Sequence, residues 1–532
     1  MRKDMTFDYI IVGGGSAGCV LAGRLSEDPH VSVCLIEAGP HDRNWRIRTP
    51  VALVNLMRNP RYNWMYKTSP QKQLGNRCLD VPRGKTLGGS SAINSMVYIR
   101  GRASDYDEWA KLGCEGWDWG SVLPYFRHSE NNLRIDNELH GRSGPLIVDD
   151  LPSPHALCRN WIEAGEAVGI PHNTDFNGAT QEGLGVYQVT MKNGRRWSSA
   201  NAFLGNAASR VNLTVLTDAE AEKIEFTGRK ATGVTIRHNG ASKTLDVGKE
   251  LVLSAGTIGS PALLLASGVG PVADLGALGV PVINALEGVG KNLQEHVSIG
   301  ISAIADAGRG LSLATLPSIA WSPVQYLGSG KGLMSTNHVE AGGFARTDAK
   351  LAEPDVQFHM IPARVGVESK GIVWGRGYFA DACLLNPKSR GQLSLSRNGY
   401  GFEPLIDFDA LGDPRDREHI VSAFRLLRSI MDSEPLRALG PIEESPGVEV
   451  QSDEQILEHC RRRLGTAYHP VGTCRMGAAD NPSSVVDPNL RVIGLDNVRV
   501  ADASVMPEII AGNTNAPTIM IGEAAADKVR QQ

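Results

Sequence analysis

Phe7 to Val12 is a run of aromatic and β-branched residues that breaks into the glycine stretch GGGSAG. The small apolar run CVLAGRL and a second apolar run, VSVCLIEAG, follow. A run as short as the first does not make a free-standing helix, so the pattern predicts strand, turn, helix, strand. A strand followed at once by glycines reads as the start of a parallel sheet.

From about Trp45 to Pro154, polar loops alternate with short helical pieces around the glycine- and serine-rich stretch RGKTLGGSSAINSM. This region is predicted to embellish a cofactor-binding unit and not to form its own domain. Strand-like patterns return over 210–255 (LTVLTDAEAEKIEF, ATGVTIRH, KELVLSAG), and TIGSPALLLASGVG then turns from strand to helix. Roughly 300–462 differs in character, with strand-like PDVQFHMIPA and GQLSLS and the amphipathic REHIVSAFRLLRSIM. Most of it is expected to form a second, substrate-facing domain. No internal repeat or low-complexity tract is present.

A chain of 532 residues is too long for one ordinary core, so two or more structural units are expected. Lysine and arginine total 54 against 58 acids, a net charge of -4, with no long run of one sign. No nucleic-acid partner is expected, and Arg461, Arg462 and Arg463 read as the solvated end of a helix. The start, MRKDMTFDYIIVGGG, has no apolar leader core, and no stretch approaches the length of a membrane-spanning helix. The eight cysteines contain no CxxC pair, which suits reduced thiols in a cytosol-like compartment; neither a disulfide scaffold nor a zinc site is expected.

Two glycine motifs and one histidine carry the candidate chemistry. Gly13, Gly15 and Gly18 form GxGxxG directly after a strand, and Glu37 closes the next strand about 20 residues on, as an acid that binds a ribose should. The first glycine makes the turn, the second admits a pyrophosphate, and the third lets the helix pack close with its N-terminus towards the phosphates. The second stretch, Arg83 to Asn94, reads either as a surface loop or as a backbone cradle along a flat ring. His469, in GTAYHPVGTCRMG, is open to three readings from its neighbours: metal ligand, partner of Cys474, or general base. No second His, Cys or carboxylate stands at ligand spacing, which argues against a metal.

Four separated pieces together resemble the glucose-methanol-choline (GMC) oxidoreductase family: DYIIVGGGSAG, RGKTLGGSSAINSMVYIRG, SAGTIGSPALLLASGVG, and YHPVGTCRMG with ADASVMPEIIAGNTNAPTIMIGE. The resemblance runs from residue 7 to about residue 527 and is strongest to bacterial FAD-dependent dehydrogenases of aliphatic primary alcohols. It implies an α/β fold (α+β overall): a Rossmann-like FAD-binding domain from residues 1–154, 196–300 and 463–532, and a substrate domain on an antiparallel sheet from 155–195 and 301–462. It also implies FAD contacts at Gly13, Gly15, Ser16, Ala17, Gly18, Glu37 and Ala38, and along Arg83, Gly84, Leu87, Gly88, Gly89, Ser90, Asn94, Met96 and Val97. Further contacts are implied at Ala221, Ala255, Gly256, Asp502, Ala503, Asn513, Thr514 and Asn515.

By the same resemblance, His469 and Asn513 stand over the flavin N5 and contact the substrate hydroxyl. His469 is then the base that takes the hydroxyl proton while a hydride leaves the α-carbon, and the Asn513 amide donates to the developing alkoxide. Asn515 ranks second to Asn513. Ala467 and Tyr468 are the pocket residues named, and His296 in KNLQEHV is expected to be structural. Two departures matter. Ile93 stands where some choline-oxidising relatives link FAD to a histidine, so FAD is expected to be non-covalent. Ser298 stands where those relatives place a carboxylate for the trimethylammonium, which argues against choline.

The expected reaction is oxidation of a primary alcohol to an aldehyde, with electrons passed to a quinone or other acceptor. The expected location is cytoplasmic or peripheral to the inner membrane. The rival readings are a flavin-containing lyase of the hydroxynitrile lyase type and an oxygen-reducing alcohol oxidase.

Overall fold

The computed structural model describes residues 6–309, 315–364, 375–399 and 401–531; the charged start, Met1 to Met5, lies outside them. Thr6–Val12 is a strand, Ser16–Leu25 a helix and Val33–Ile36 a strand, in the order expected from their apolar runs. The two strands pair in parallel, Ile10 opposite Cys34 and Ile11 opposite Leu35. Ile10, Ile11 and all four residues of Val33–Ile36 are buried, because helices and loops cover both faces of this part of the sheet.

The first sheet runs Leu213–Leu216, Val33–Ile36, Thr6–Val12, Ala241–Leu253, with Val498–Val500 also on Ala241–Leu253. Ala241–Leu253 is long enough to serve two layers. Its first half pairs antiparallel with Lys230–His238 and its second half pairs in parallel with Thr6–Val12. Every parallel strand therefore ends at one edge, where the loops after Val12, Ile36, Leu253 and Val500 gather. Ligands bind at such an edge in open α/β sheets.

The second sheet is antiparallel, in the order Ile442–Ser445, Val297–Ile304, Gly377–Leu384, Val356–Ile361, Ala341–Ala345, Gly183–Val186. Pro414–Met431, the expected amphipathic helix, packs on it through Phe424, Leu427 and Ile430. The expected boundary at 300 falls inside the strand Val297–Ile304, and the one at 195 splits the hairpin of Met191–Lys192 with Arg195–Arg196. A hydrogen-bonded ladder holds its strand as a unit whatever the composition does, so after Gly183–Val186 the chain re-enters the second sheet at Val297 and not at 301. The paired strands Gln392–Asn398 and Gly401–Asp407, inside the expected substrate domain, instead pack against the helix Gly256–Ala266 of the first unit.

Candidate active site

Between the two sheets lies a cavity of about 2050 Å³, well beyond the roughly 300–1,000 Å³ that holds one drug-sized ligand. A dinucleotide and a substrate fit such a space together. Three helix N-termini reach its wall, Ser16–Leu25, Gly256–Ala266 and Asn515–Arg530, and none has a side-chain cap. The first N–H groups of Ser16–Leu25 and Asn515–Arg530 face the cavity as helix N-termini that favour an anion, whereas the Gly256 N–H is taken by Asp502.

The glycine turn is built as its spacing requires. Gly13 has φ of +103° and a Cβ there would stand 2.4 Å from the Ser254 carbonyl oxygen; on Gly18 it would stand 1.9 Å from the Gly13 carbonyl oxygen. On Gly15 it would meet nothing nearer than the Ser254 carbonyl oxygen at 3.9 Å, so this residue of the cavity wall leaves room for a phosphate to approach the backbone. The Glu37 carboxylate accepts from the Gly14 and Gly39 N–H groups at 2.9 and 2.8 Å. Burial nonetheless pushes its pKa up to about 7, so further donors such as a ribose diol would favour its charged form. The residues present fit a dinucleotide.

Gly13, Gly15, Ser16, Ala17, Glu37 and Ala38 line this cavity, as do Arg83, Gly84, Gly89, Ser90, Asn94, Met96 and Val97. Ala221, Ala255, Gly256, Ala467, Tyr468, His469, Asp502, Ala503, Asn513, Thr514 and Asn515 complete the expected set on its wall. Gly18, Leu87 and Gly88 stand behind the wall instead. Gly18 packs on Gly13, Leu87 lies beneath Gly14, and the Gly88 N–H donates to the Gly14 carbonyl at 2.7 Å, which ties the second glycine loop to the first. Asp502 reaches the wall, but its carboxylate is already engaged. It accepts from the Gly256 N–H at 2.9 Å, the Ser260 hydroxyl at 2.6 Å and the Ser504 N–H at 2.8 Å, and so organises the turn.

His469 owes its position to an interrupted ladder. Val297 pairs with Thr466, the Ala467 N–H donates to the His296 carbonyl at 2.8 Å, and pairing resumes between Gln294 and Val471. Between these points Tyr468 takes φ of +64° and Pro470 has no N–H to give, so the loop bulges into the cavity. The His469 N–H is caught at 2.7 Å by the Glu295 carboxylate, and Arg83 donates to the Tyr468 carbonyl at 2.5 Å. Arg83 thus braces the histidine loop, beyond its expected place on the cavity wall.

One directed chain of hydrogen bonds sets the histidine tautomers. His296 Nε2 lies 3.0 Å from the Leu385 carbonyl oxygen, which can only accept, so Nε2 carries the proton. Burial lowers the His296 pKa to about 3, so the ring is neutral and its Nδ1 is an acceptor. His469 Nδ1, 3.1 Å away, must therefore donate to it. Burial, then the neighbouring His296, also lowers the His469 pKa well below its ordinary value. Its Nε2 is consequently a bare lone pair facing the cavity, 3.0 Å from Asn513 Nδ2, while Asn513 Oδ1 accepts from Gln357 at 3.0 Å. Asn513 faces His469; Asn515 accepts from Ser16 at 2.8 Å.

His296 is thus more than the structural histidine expected, since it holds the proton position of His469. The two lie 173 positions apart in the chain, and no local pattern links them. Gln357 and His359 alternate on the strand Val356–Ile361, and that period of two in VQFHM was the available signal. Cys474 is buried, and burial holds its thiol well above its ordinary pKa, which removes it as a nucleophile. Among the described residues no three His, Cys, Asp or Glu side chains are grouped to hold a metal ion.

A cradle that fits a dinucleotide faces a neutral imidazole across this cavity, and comparison with known proteins names the class of protein. Two family models described as GMC oxidoreductase match residues 7–298 and 387–522, and the chain belongs to this family of oxidoreductases. It is 45% identical over 527 residues to an alcohol dehydrogenase [acceptor] of Pseudomonas putida, covering 98% of this chain and 95% of that protein. It is 40% identical to the mitochondrial choline dehydrogenase of Homo sapiens, covering 99% and 90%. Among solved structures, pyridoxine 4-oxidase from Mesorbium loti superposes with a TM-score of 0.89 at 32% identity, covering 99% of each chain.

Proposed function

We propose that this protein oxidises a primary alcohol to an aldehyde, with FAD bound non-covalently and electrons passed on to a quinone or other acceptor. The observation that carries this reading is the chain from Leu385 through His296 and His469 to Asn513, which leaves one unprotonated nitrogen beside one amide donor. When bound, FAD supplies the hydride acceptor. His469 Nε2 takes the hydroxyl proton, and the resulting imidazolium keeps its Nδ1–H on His296. Asn513 Nδ2–H, released from His469 as substrate enters, donates to the alkoxide oxygen where charge develops. The surrounding burial strengthens both interactions.

The sheet face above these residues presents small, polar and apolar side chains to an alcohol. Ser298, Gly300 and Ser302 stand beside Phe379 and Asp381 and then His359 and Ile361. The carboxylate there, Asp381, is engaged by His359 at 2.9 Å. An anaerobic panel of alcohols followed by flavin absorbance tests the reading: bleaching by alcohol supports a dehydrogenase or oxidase, and a flavin that never cycles would favour the lyase. Reoxidation by a quinone analogue or by oxygen then separates dehydrogenase from oxidase.

Two further results are expected. Ile93 is buried against Ile47, Leu56 and Tyr62 and offers no nucleophile, so acid or heat should release free FAD from the yellow protein. Flavin that stays with the precipitated polypeptide would contradict this. Glu37→Ala should weaken FAD retention while flavin that remains bound is still reduced at near the wild-type rate. Normal retention by this variant together with lost reduction would place Glu37 in the chemistry and not in the cradle.

A further inference from the structure

The helix Leu316–Ser329 carries its apolar side outwards. No charged residue occurs between Arg309 and Lys331. Its inward face presents Ser322 and Tyr326, whose hydroxyl donates to the Gly194 carbonyl at 3.3 Å. Its outward face presents Leu316, Trp321, Val324 and Leu327, exposed by 43, 63, 54 and 75%. A helix on a water-facing surface has the opposite pattern, and a contiguous apolar face of this kind marks an interaction site.

The surroundings say what covers it. Tyr326 also bonds to the Thr49 side chain, and the His338 ring meets the Val51 carbonyl at 3.1 Å, so the helix sits beside the segment that follows Asp42. That segment adds Trp45 and Val54, exposed by 58 and 45%, to the apolar patch. It also supplies Arg43, Arg48, Arg58 and Arg61, all exposed, with no acid between Asp42 and Asp80. In a protein of net charge -4 this is a local excess of positive charge beside an apolar face. The combination is that of an interfacial helix on an anionic bilayer, with aromatic and aliphatic side chains at the acyl boundary and arginines at the headgroup phosphates. A second copy related by a two-fold axis would set the basic rim against itself.

We propose that the helix Leu316–Ser329 with the arginine-rich segment 43–61 is a reversible docking face for an anionic membrane surface. Val54, which belongs to this face, also lines the cavity together with Leu53, Met57 and Arg58. Docking therefore brings the cavity mouth to the bilayer, where a lipid-soluble alcohol or acceptor resides. Only this use rests on the dehydrogenase reading; the binding itself does not.

Co-sedimentation of the holoenzyme with vesicles tests the proposal, using phosphatidylcholine alone or an equal mixture with phosphatidylglycerol. The holoenzyme should pellet with the mixed vesicles, much less with phosphatidylcholine, and should be released as salt rises. Trp321→Glu with Leu327→Glu should lower partition by about ten-fold or more. Arg48→Gln with Arg61→Gln should reduce the preference for the anionic lipid, with Arg43 and Arg58 left in place. Flavin reduction by alcohol in solution, measured alongside, should be unchanged in both variants, so failure of the chemical reading registers separately. Wild-type holoenzyme that stays in the supernatant with mixed vesicles overturns the proposal without recourse to any variant. So does undiminished binding by the glutamate variant, or a solution dimer that this variant dissociates.

Discussion

His469→Ala should slow anaerobic flavin reduction at saturating alcohol by about 10² to 10⁴-fold, the range for loss of a general base. The structure also sets where the pH dependence falls. Burial and the adjacent His296 depress the His469 pKa well below 6.5, so the base is already unprotonated at neutral pH. The wild-type rate should stay level as pH falls past 6.5 and decline only at the depressed pKa, and the alanine variant should lose that acid limb. Stability moves the same way. His296, at about 3, and His459, at about 4, are lowered by burial. The unfolded chain therefore binds more protons than the folded one below pH about 6.5, and the stability these rings contribute above that pH is lost as pH falls towards the folded values. A pH-jump measurement, completed before acid unfolding, separates the two effects. Near-normal reduction by His469→Ala, with the acid limb retained, would place the base elsewhere.

Asn513→Ala should cost on the order of 10² to 10³-fold in the same limiting rate, since it removes one preorganised donor and leaves the base in place. Its pH profile should keep the wild-type acid limb, which distinguishes it from His469→Ala. Asn513→His retains an N–H donor and should keep most activity. His469→Asn should stay as slow as alanine because an amide cannot take the proton. A loss at Asn513→Ala as large as at His469→Ala, accompanied by loss of the acid limb, would mean that Asn513 acts only by holding the imidazole.

The dinucleotide half was legible because its information is local. A short apolar run, three glycines at fixed offsets and an acid one strand later constrain backbone geometry within about 30 residues of chain, and Thr6–Val12, Ser16–Leu25 and Val33–Ile36 formed where that pattern put them. The GGSS loop was legible for the same reason, although Leu87 and Gly88 brace the turn from behind and do not face the cavity. Domain boundaries were less so, since Val297–Ile304 is held by cross-strand partners up to residue 466 that no local window contains.

The chemistry of the histidine was decided at long range. The residues around His469 left three readings open, and a family resemblance favoured the base. What leaves its Nε2 lone pair towards the cavity, as the proposed base requires, is the carbonyl of Leu385 acting through His296, while Glu295 holds its loop. The outward-facing helix Leu316–Ser329 is of the same kind, because its apolar composition reads equally well as core or as surface until neighbouring segments show which side is covered. Periodicity and turn chemistry act between residues near in sequence and so can be read there. Proton placement, burial and the exposure of a face depend on groups brought together from distant parts of the chain, and those were set only when the two sheets closed over the cavity.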